Sequence, residues 1–169
     1  MLKIINNLSP FFEDCYRGFG VREYARIISV SPPTASKLLK AYFKEKLLQK
    51  ESFRGNTLFH ANRVDSQFID LSRIYWRHKL GSLIIFLEKN LLNPAVVLFG
   101  SLSKAEAKSD SDIDIAVLSV DKRPDVSKFE RRLKRGIQIF YNNSIKDIKN
   151  KELTNNILNG YVLRGRLRL

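Results

Sequence analysis

Five consecutive apolar residues, Ala95 to Phe99, run directly into Gly100-Ser101, and ten residues later Asp112-Ile113-Asp114 opens a second apolar run that ends at Leu118. Short apolar runs of this kind read as buried strands. A glycine directly after such a strand lets backbone N–H groups come close to a phosphate, above all where a helix begins there. Side chains alternate along a strand, so Asp112 and Asp114 project from one face while Ile113 and Ile115 point into the core. Two aligned carboxylates are a means of holding Mg²⁺ against the phosphates of a nucleotide. The pattern therefore asks for a phosphate cradle and a carboxylate pair on neighbouring strands.

The chain before this pattern is organised differently. Arg22 to Ile28 reads as a short helix and Ser29-Val30-Ser31 as a turn. Ser31 or Pro32 then caps a helix whose apolar positions Ala35, Leu38, Leu39 and Tyr42 recur at helical spacing, with Pro33 in the first turn. Leu48–Phe53 and Thr57–Asn62 are strand-like runs around Arg54-Gly55-Asn56, a hairpin turn with a basic tip. Val64 to about Leu92 reads as a helix with Phe68, Leu71, Ile74, Tyr75, Leu83, Ile84 and Leu87 buried, and Gly81-Ser82 as its break or kink. After Asn93-Pro94 the pattern changes to α/β: strands at Ala95–Phe99, Ile113–Leu118 and Ile137–Tyr141, a helix over Val126–Lys134 ended by Gly136, and a closing helix over Lys149–Asn159 with Gly160 as its cap. The expected division is residues 1–63, a connecting helix over 64–92, and residues 93–169.

Charge separates these regions. Lys and Arg outnumber Asp and Glu by 13, and the excess gathers between Arg22 and Arg63 (+6) and between Lys122 and Arg135 (+5). Between them, Glu106, Asp110, Asp112 and Asp114 outnumber Lys104 and Lys108. A cationic chain with one acidic island suggests a polyanionic partner and a local chemical use for carboxylates. No run approaches the ~20 apolar residues that cross a bilayer, and Met1 to Asn7 lacks the pattern of a signal peptide, so the expected compartment is the cytoplasm, with no membrane partner. Cys15 is the single cysteine and reads as a core residue beside Phe11, Phe12 and Tyr16; His60 and His78 have no ligand set around them, which argues against zinc. Trp76, Tyr75 and Phe86 read as packing groups. Lys128, Arg131, Arg132, Lys134 and Arg135, like Arg164, Arg166 and Arg168, stand between a solvated face and a grip on phosphates or an acidic partner.

From Ala95 to Gly165 the sequence resembles the nucleotidyltransferase superfamily typified by DNA polymerase beta, in its minimal branch. The residues that carry the resemblance are Phe99-Gly100-Ser101, the ten-residue gap, and Ser111-Asp112-Ile113-Asp114. The resemblance implies a palm with a small mixed sheet and flanking helices. It also implies Mg²⁺ and an NTP, expected to be ATP, from which NMP passes to a hydroxyl of a protein or nucleic acid. Asp112 and Asp114 would be the catalytic, metal-holding carboxylates, and Gly100 and Ser101 the nucleotide-binding residues. By analogy with minimal nucleotidyltransferases that act as antitoxins, a toxin side chain is one candidate acceptor.

Residues 1–63 resemble a winged helix-turn-helix, with Val30 to Leu39 at the turn and the start of its recognition helix. That implies DNA contact through Thr34, Ser36, Lys37, Lys40 and Arg54. The fold class expected for the whole is α+β. Fusions of these two modules are a known arrangement, and Val64–Leu92 is a candidate interface for a homodimer.

The sequence departs from the superfamily at the third carboxylate, which a later strand usually supplies. On Ile137-Gln138-Ile139-Phe140-Tyr141, Gln138 holds the corresponding place with a neutral amide. Asp121, Asp125, Glu130 and Asp147 are candidate substitutes. The alternative function is a DNA-binding transcriptional regulator whose nucleotidyltransferase domain has lost catalysis and senses nucleotides.

Overall fold

The computed structural model describes residues 2–53, 55–119 and 123–168, which form two compact units. One unit holds the chain up to Tyr75 together with Ala105–Ser109; the other holds Trp76–Lys104 and the chain from Asp110 onward.

The first unit begins with α1 (Lys3–Glu13), which buries Ile5, Leu8, Phe11 and Phe12 along one side. Pro10 lies inside this helix and has no N–H for the carbonyl of Asn6; the Ser9 hydroxyl donates to that oxygen at 2.7 Å instead. Helix α2 (Val21–Ile27) leads through Ser29, at φ 56°, into α3 (Pro32–Lys44), which Ser31 caps by accepting from the Thr34 N–H. Phe11 meets Phe19 edge-on at 5.0 Å and Tyr24 at 5.7 Å, and Ala35, Leu39 and Tyr42 close the core from α3. Strands β1 (Leu48–Phe53) and β2 (Asn56–Ala61) pair as an antiparallel hairpin from Leu48↔Ala61 to Phe53↔Asn56, and Phe19 bridges to Phe59 beside it.

Helix α4 (Ser66–Lys79) ends before Leu80, and α5 (Gly81–Asn90) follows, so the expected break falls at Gly81. The buried stripe of α4 runs through Phe68, Ser72, Tyr75 and Trp76, at helical spacing, and this leaves Ile74, expected inside, 44% exposed.

The second unit is built on a four-stranded mixed sheet in the order β5-β4-β3-β6, formed by β3 (Ala95–Phe99), β4 (Ile113–Leu118), β5 (Ile137–Asn142) and β6 (Tyr161–Arg164). β3 is antiparallel to both β4 and β6, and β4 is parallel to β5. Ala95, Val97, Phe99, Ala116 and Leu118 share one face and pack with Ile145 and with Ile157 of α8 (Lys151–Leu158). Val96, Leu98, Ile113, Ile115 and Val117 alternate onto the other face and are fully buried. Asn150 caps α8 by accepting from the Leu153 N–H at 3.1 Å.

Gly160 was expected to cap the last helix, but Asn159 holds that place; a Cβ at residue 160 would come within 2.7 Å of the Leu98 carbonyl, so Gly160 serves the close approach to β3. Gly136 likewise does not end α7 (Ser127–Leu133), which stops at Lys134 in the left-handed region, φ 55°. No helix among the described residues is long and apolar enough to cross a membrane.

Leu98 is 0% exposed at the centre of the sheet. Leu98→Ala is expected to cost ~2–5 kcal/mol through lost burial and a cavity, read as a lower urea midpoint for unfolding of this unit.

Candidate nucleotide and metal site

Antiparallel pairing sets Phe99 opposite Asp114, so the end of β3 meets the start of β4. Gly100 turns the chain there at φ +69° and opens the short helix α6 (Gly100–Ser103), which contains Ser101. The buried Ser103 hydroxyl donates to the Gly100 carbonyl at 2.9 Å and ties the turn to the helix. A Cβ at Gly100 would strike the Asp114 carboxylate, so only glycine lets the backbone come this close.

Asp112 is held from the other side. A Cβ at Gly136 would lie 2.5 Å from Asp112 Oδ1, and the Gln138 amide donates to Asp112 Oδ2 at 2.8 Å. The Ile113 N–H donates to the Gly136 carbonyl at 2.9 Å, which fixes the backbone between the two carboxylates. Arg135, 8% exposed, donates from Nη1 to the Ser111 carbonyl at 2.6 Å and lies 5.3 Å from the centre of the Trp76 ring. Burial raises the Asp114 carboxyl above the ordinary aspartate range, and the neighbouring charge of Asp112 raises it further. Two carboxylates held together at this cost are relieved by a divalent cation, and the two glycines leave them room. The donor set therefore fits Mg²⁺, with Asp112 and Asp114 as the residues that would hold it.

The structure thus brings Gly100, Asp112, Asp114 and Gln138 to one end of the sheet, with Ser101 one residue beyond. The candidate substitutes for a third carboxylate are occupied elsewhere. Asp125 accepts from the Ser127 N–H and hydroxyl, which holds its carboxyl below the ordinary range. Glu130 accepts from the Ile137 N–H, and Asp147 from the Ser144 N–H and hydroxyl. Asp121 lies outside the described residues. Among the described residues no cluster of three or more His, Cys, Asp or Glu could hold a metal. Gly136 escaped the sequence reading as part of this site, because it lies outside the motif and only the pairing of β4 with β5 brings it to Asp112; Arg135, read between a solvated face and a grip on phosphates, is buried on the Ser111 carbonyl.

On α3, Lys37 and Lys40 are exposed and Ser36 half-buried, while the Thr34 hydroxyl pairs with Ser31 at 2.9 Å inside the cap. Arg54 lies outside the described residues. Lys40 does line a cleft of about 360 Å³, with Phe43, Lys50, Glu51, Ser52, Thr57 and Phe59. Phe43 and Lys50, absent from the sequence reading, stack there with Nζ 4.8 Å from the ring centre. Cys15 is buried, 1% exposed. Lys128 sits 4.1 Å from the Phe86 ring centre, and Arg132 bonds Ser82, so both spend their cations on packing.

Residues 82–166 match the Polymerase beta, Nucleotidyltransferase family, 85 of the chain's 169 residues. The chain belongs to that family. Its match takes in the whole sheet of the second unit and every residue of the carboxylate site, and supports a nucleotidyltransferase-like function. No curated protein and no solved structure matches the chain.

The raised Asp114 carboxyl has a consequence for stability. A carboxyl whose folded value lies above its unfolded one stabilises the fold at low pH, and that contribution is lost as pH rises through the folded value. Asp114→Asn is expected to raise the metal-free melting temperature at neutral pH by about 1–3 °C, a small effect because the site is partly solvated. The gain should disappear below the ordinary aspartate range, where both forms are neutral; thermal melts at several pH values check it.

Proposed function

We propose that this family member is a Mg²⁺-dependent nucleotidyltransferase that takes an NTP, with ATP the expected donor. The observation that carries this reading is the close packing of both carboxylates against Gly100 and Gly136. Ser101 and the backbone at Gly100 would receive the phosphates, and Asp112 and Asp114 would hold the cation. When bound, Mg²⁺ neutralises phosphate charge and steadies the pyrophosphate leaving group. In the reaction an acceptor hydroxyl oxygen forms a bond to the α-phosphorus, the bond from that phosphorus to the bridging oxygen breaks, pyrophosphate leaves, and the hydroxyl proton passes to base or solvent. The acceptor is a hydroxyl of a protein or nucleic acid, with a toxin side chain one candidate.

Calorimetric titration with a non-hydrolysable ATP analogue tests the site. Binding should require Mg²⁺ and fall by at least about tenfold, ~1.4 kcal/mol, in the Asp112→Asn/Asp114→Asn variant. Equal binding by that variant would sink the assignment.

A second reading concerns the first unit, for which we propose a winged helix-turn-helix that binds DNA. It is favoured by the exposed Lys37 and Lys40 on α3 and by the cleft that Lys40 lines together with Lys50 of the hairpin. Here the second unit would serve as a nucleotide sensor in a transcriptional regulator. DNA affinity should fall steeply with salt, and Lys37→Ala/Lys40→Ala should reduce the slope of log affinity against log salt by about 2. A slope equal to that of the unchanged protein would remove these residues from the interface.

A further inference from the structure

Gln138 is the Cα partner of Asp114 across the parallel pair β4 and β5, and its side chain reaches past that position to Asp112. An ionised carboxylate only accepts hydrogen bonds, so the amide must present its NH₂ to Asp112 Oδ2, and the 2.8 Å distance is that of a charge-assisted bond. One oxygen of Asp112 is therefore engaged by a donor, the other lies against Gly136, and the carboxylate of Asp114 makes no hydrogen bond or ion pair with any described residue.

We propose that Gln138 makes this a one-cation site. Asp112 and Asp114 together carry the charge that one divalent ion balances. A second ion near Asp112 would face the partly positive amide hydrogens at the side where Gln138 sits, and would find no third carboxylate there. The amide also fixes the orientation of Asp112 before any ion arrives, so the site is pre-set for one ion shared by the two aspartates. This inference rests on the reading of Asp112 and Asp114 as a cation-holding pair, and adds the number of ions and the residue that sets it. Residue 138 is a positioning group: it has no lone-pair oxygen turned toward Asp112 and cannot take the proton of an acceptor hydroxyl as a carboxylate would. That proton must leave by another route.

The test is a titration of the full chain with Mn²⁺ alone, with bound ions counted from the loss of the free-ion paramagnetic resonance signal. The unchanged protein should take up one saturable ion, lost in Asp112→Asn/Asp114→Asn. Gln138→Glu, which keeps the shape and replaces the donor by a carboxylate, should take up two. Gln138→Ala removes the donor and supplies no ligand, so its count should stay at one. Circular dichroism and thermal melting establish that each variant is folded; if Gln138→Glu is not, Gln138→Asp replaces it. Two ions in the unchanged protein, or one in a folded carboxylate variant, would overturn the proposal while leaving the cation pair intact. No saturable ion in the unchanged protein would overturn the pair itself and this inference with it.

Discussion

The antiparallel register of β3 on β4, with Phe99 opposite Asp114, governs the carboxylate site. It makes the turn after β3 and the start of β4 meet, and the space between them is small enough that a methyl group at residue 100 would collide with Asp114. Parallel pairing of β4 with β5 repeats the condition on the far side, where Gly136 leaves room for Asp112. Each carboxylate is thus backed by a residue with no side chain. The apolar alternation of β3 and β4 keeps that geometry, because a slip of one residue would turn Ile113 and Ile115 to the face now held by Asp112 and Asp114.

Charge in the second unit is distributed by use. Other acidic side chains of this unit serve local backbone: Asp125 and Asp147 in turns, Glu130 on the first N–H of β5. Several cations of the basic run are likewise committed, Lys128 against the Phe86 and Phe129 rings, Arg132 at Ser82, and Arg135 buried against Trp76 with its guanidinium on Ser111. Among the described residues, the two aspartates of the motif lie close enough for the charge of one to act on the other. Burial, and after it the neighbouring charge of Asp112, raises the carboxyl of Asp114.

Strands β3 and β4 and the break at Gly81 could be read from the sequence because each has a strong local signal: an unbroken apolar run, or glycine and serine within a helical pattern. β6 could not. Tyr161-Val162-Leu163-Arg164 is four residues long, lies between Gly160 and Gly165, and becomes a strand only by pairing with β3. The stop of α7 was misplaced because Lys134 takes a left-handed conformation more often given to glycine, while Gly136 is needed two residues later for Asp112. Ile74 was expected in the core from its apolar character, but the stripe set by Phe68, Ser72, Tyr75 and Trp76 passes beside it. At the site, the motif gave Gly100, Ser101, Asp112 and Asp114, and the resemblance to the superfamily pointed to Gln138. The bond from Gln138 to Asp112, and the parts played by Gly136 and Arg135, depend on contacts between strands that no local pattern encodes.

The ten residues between Ser101 and Asp112 do not stay within the unit that bears the site. Ala105–Ser109 belongs to the first unit, where Ala105 and Ala107 are buried and the Cys15 N–H donates to the Ala107 carbonyl at 2.7 Å. The polypeptide therefore leaves the second unit between the two halves of its own motif and returns at Asp110. No single cut in the chain separates the two units, and a gene fusion that appended one to the other end to end would omit this excursion. Each unit is discontinuous or interrupted in sequence, and exchange of either one for a foreign module would have to carry the excursion with it.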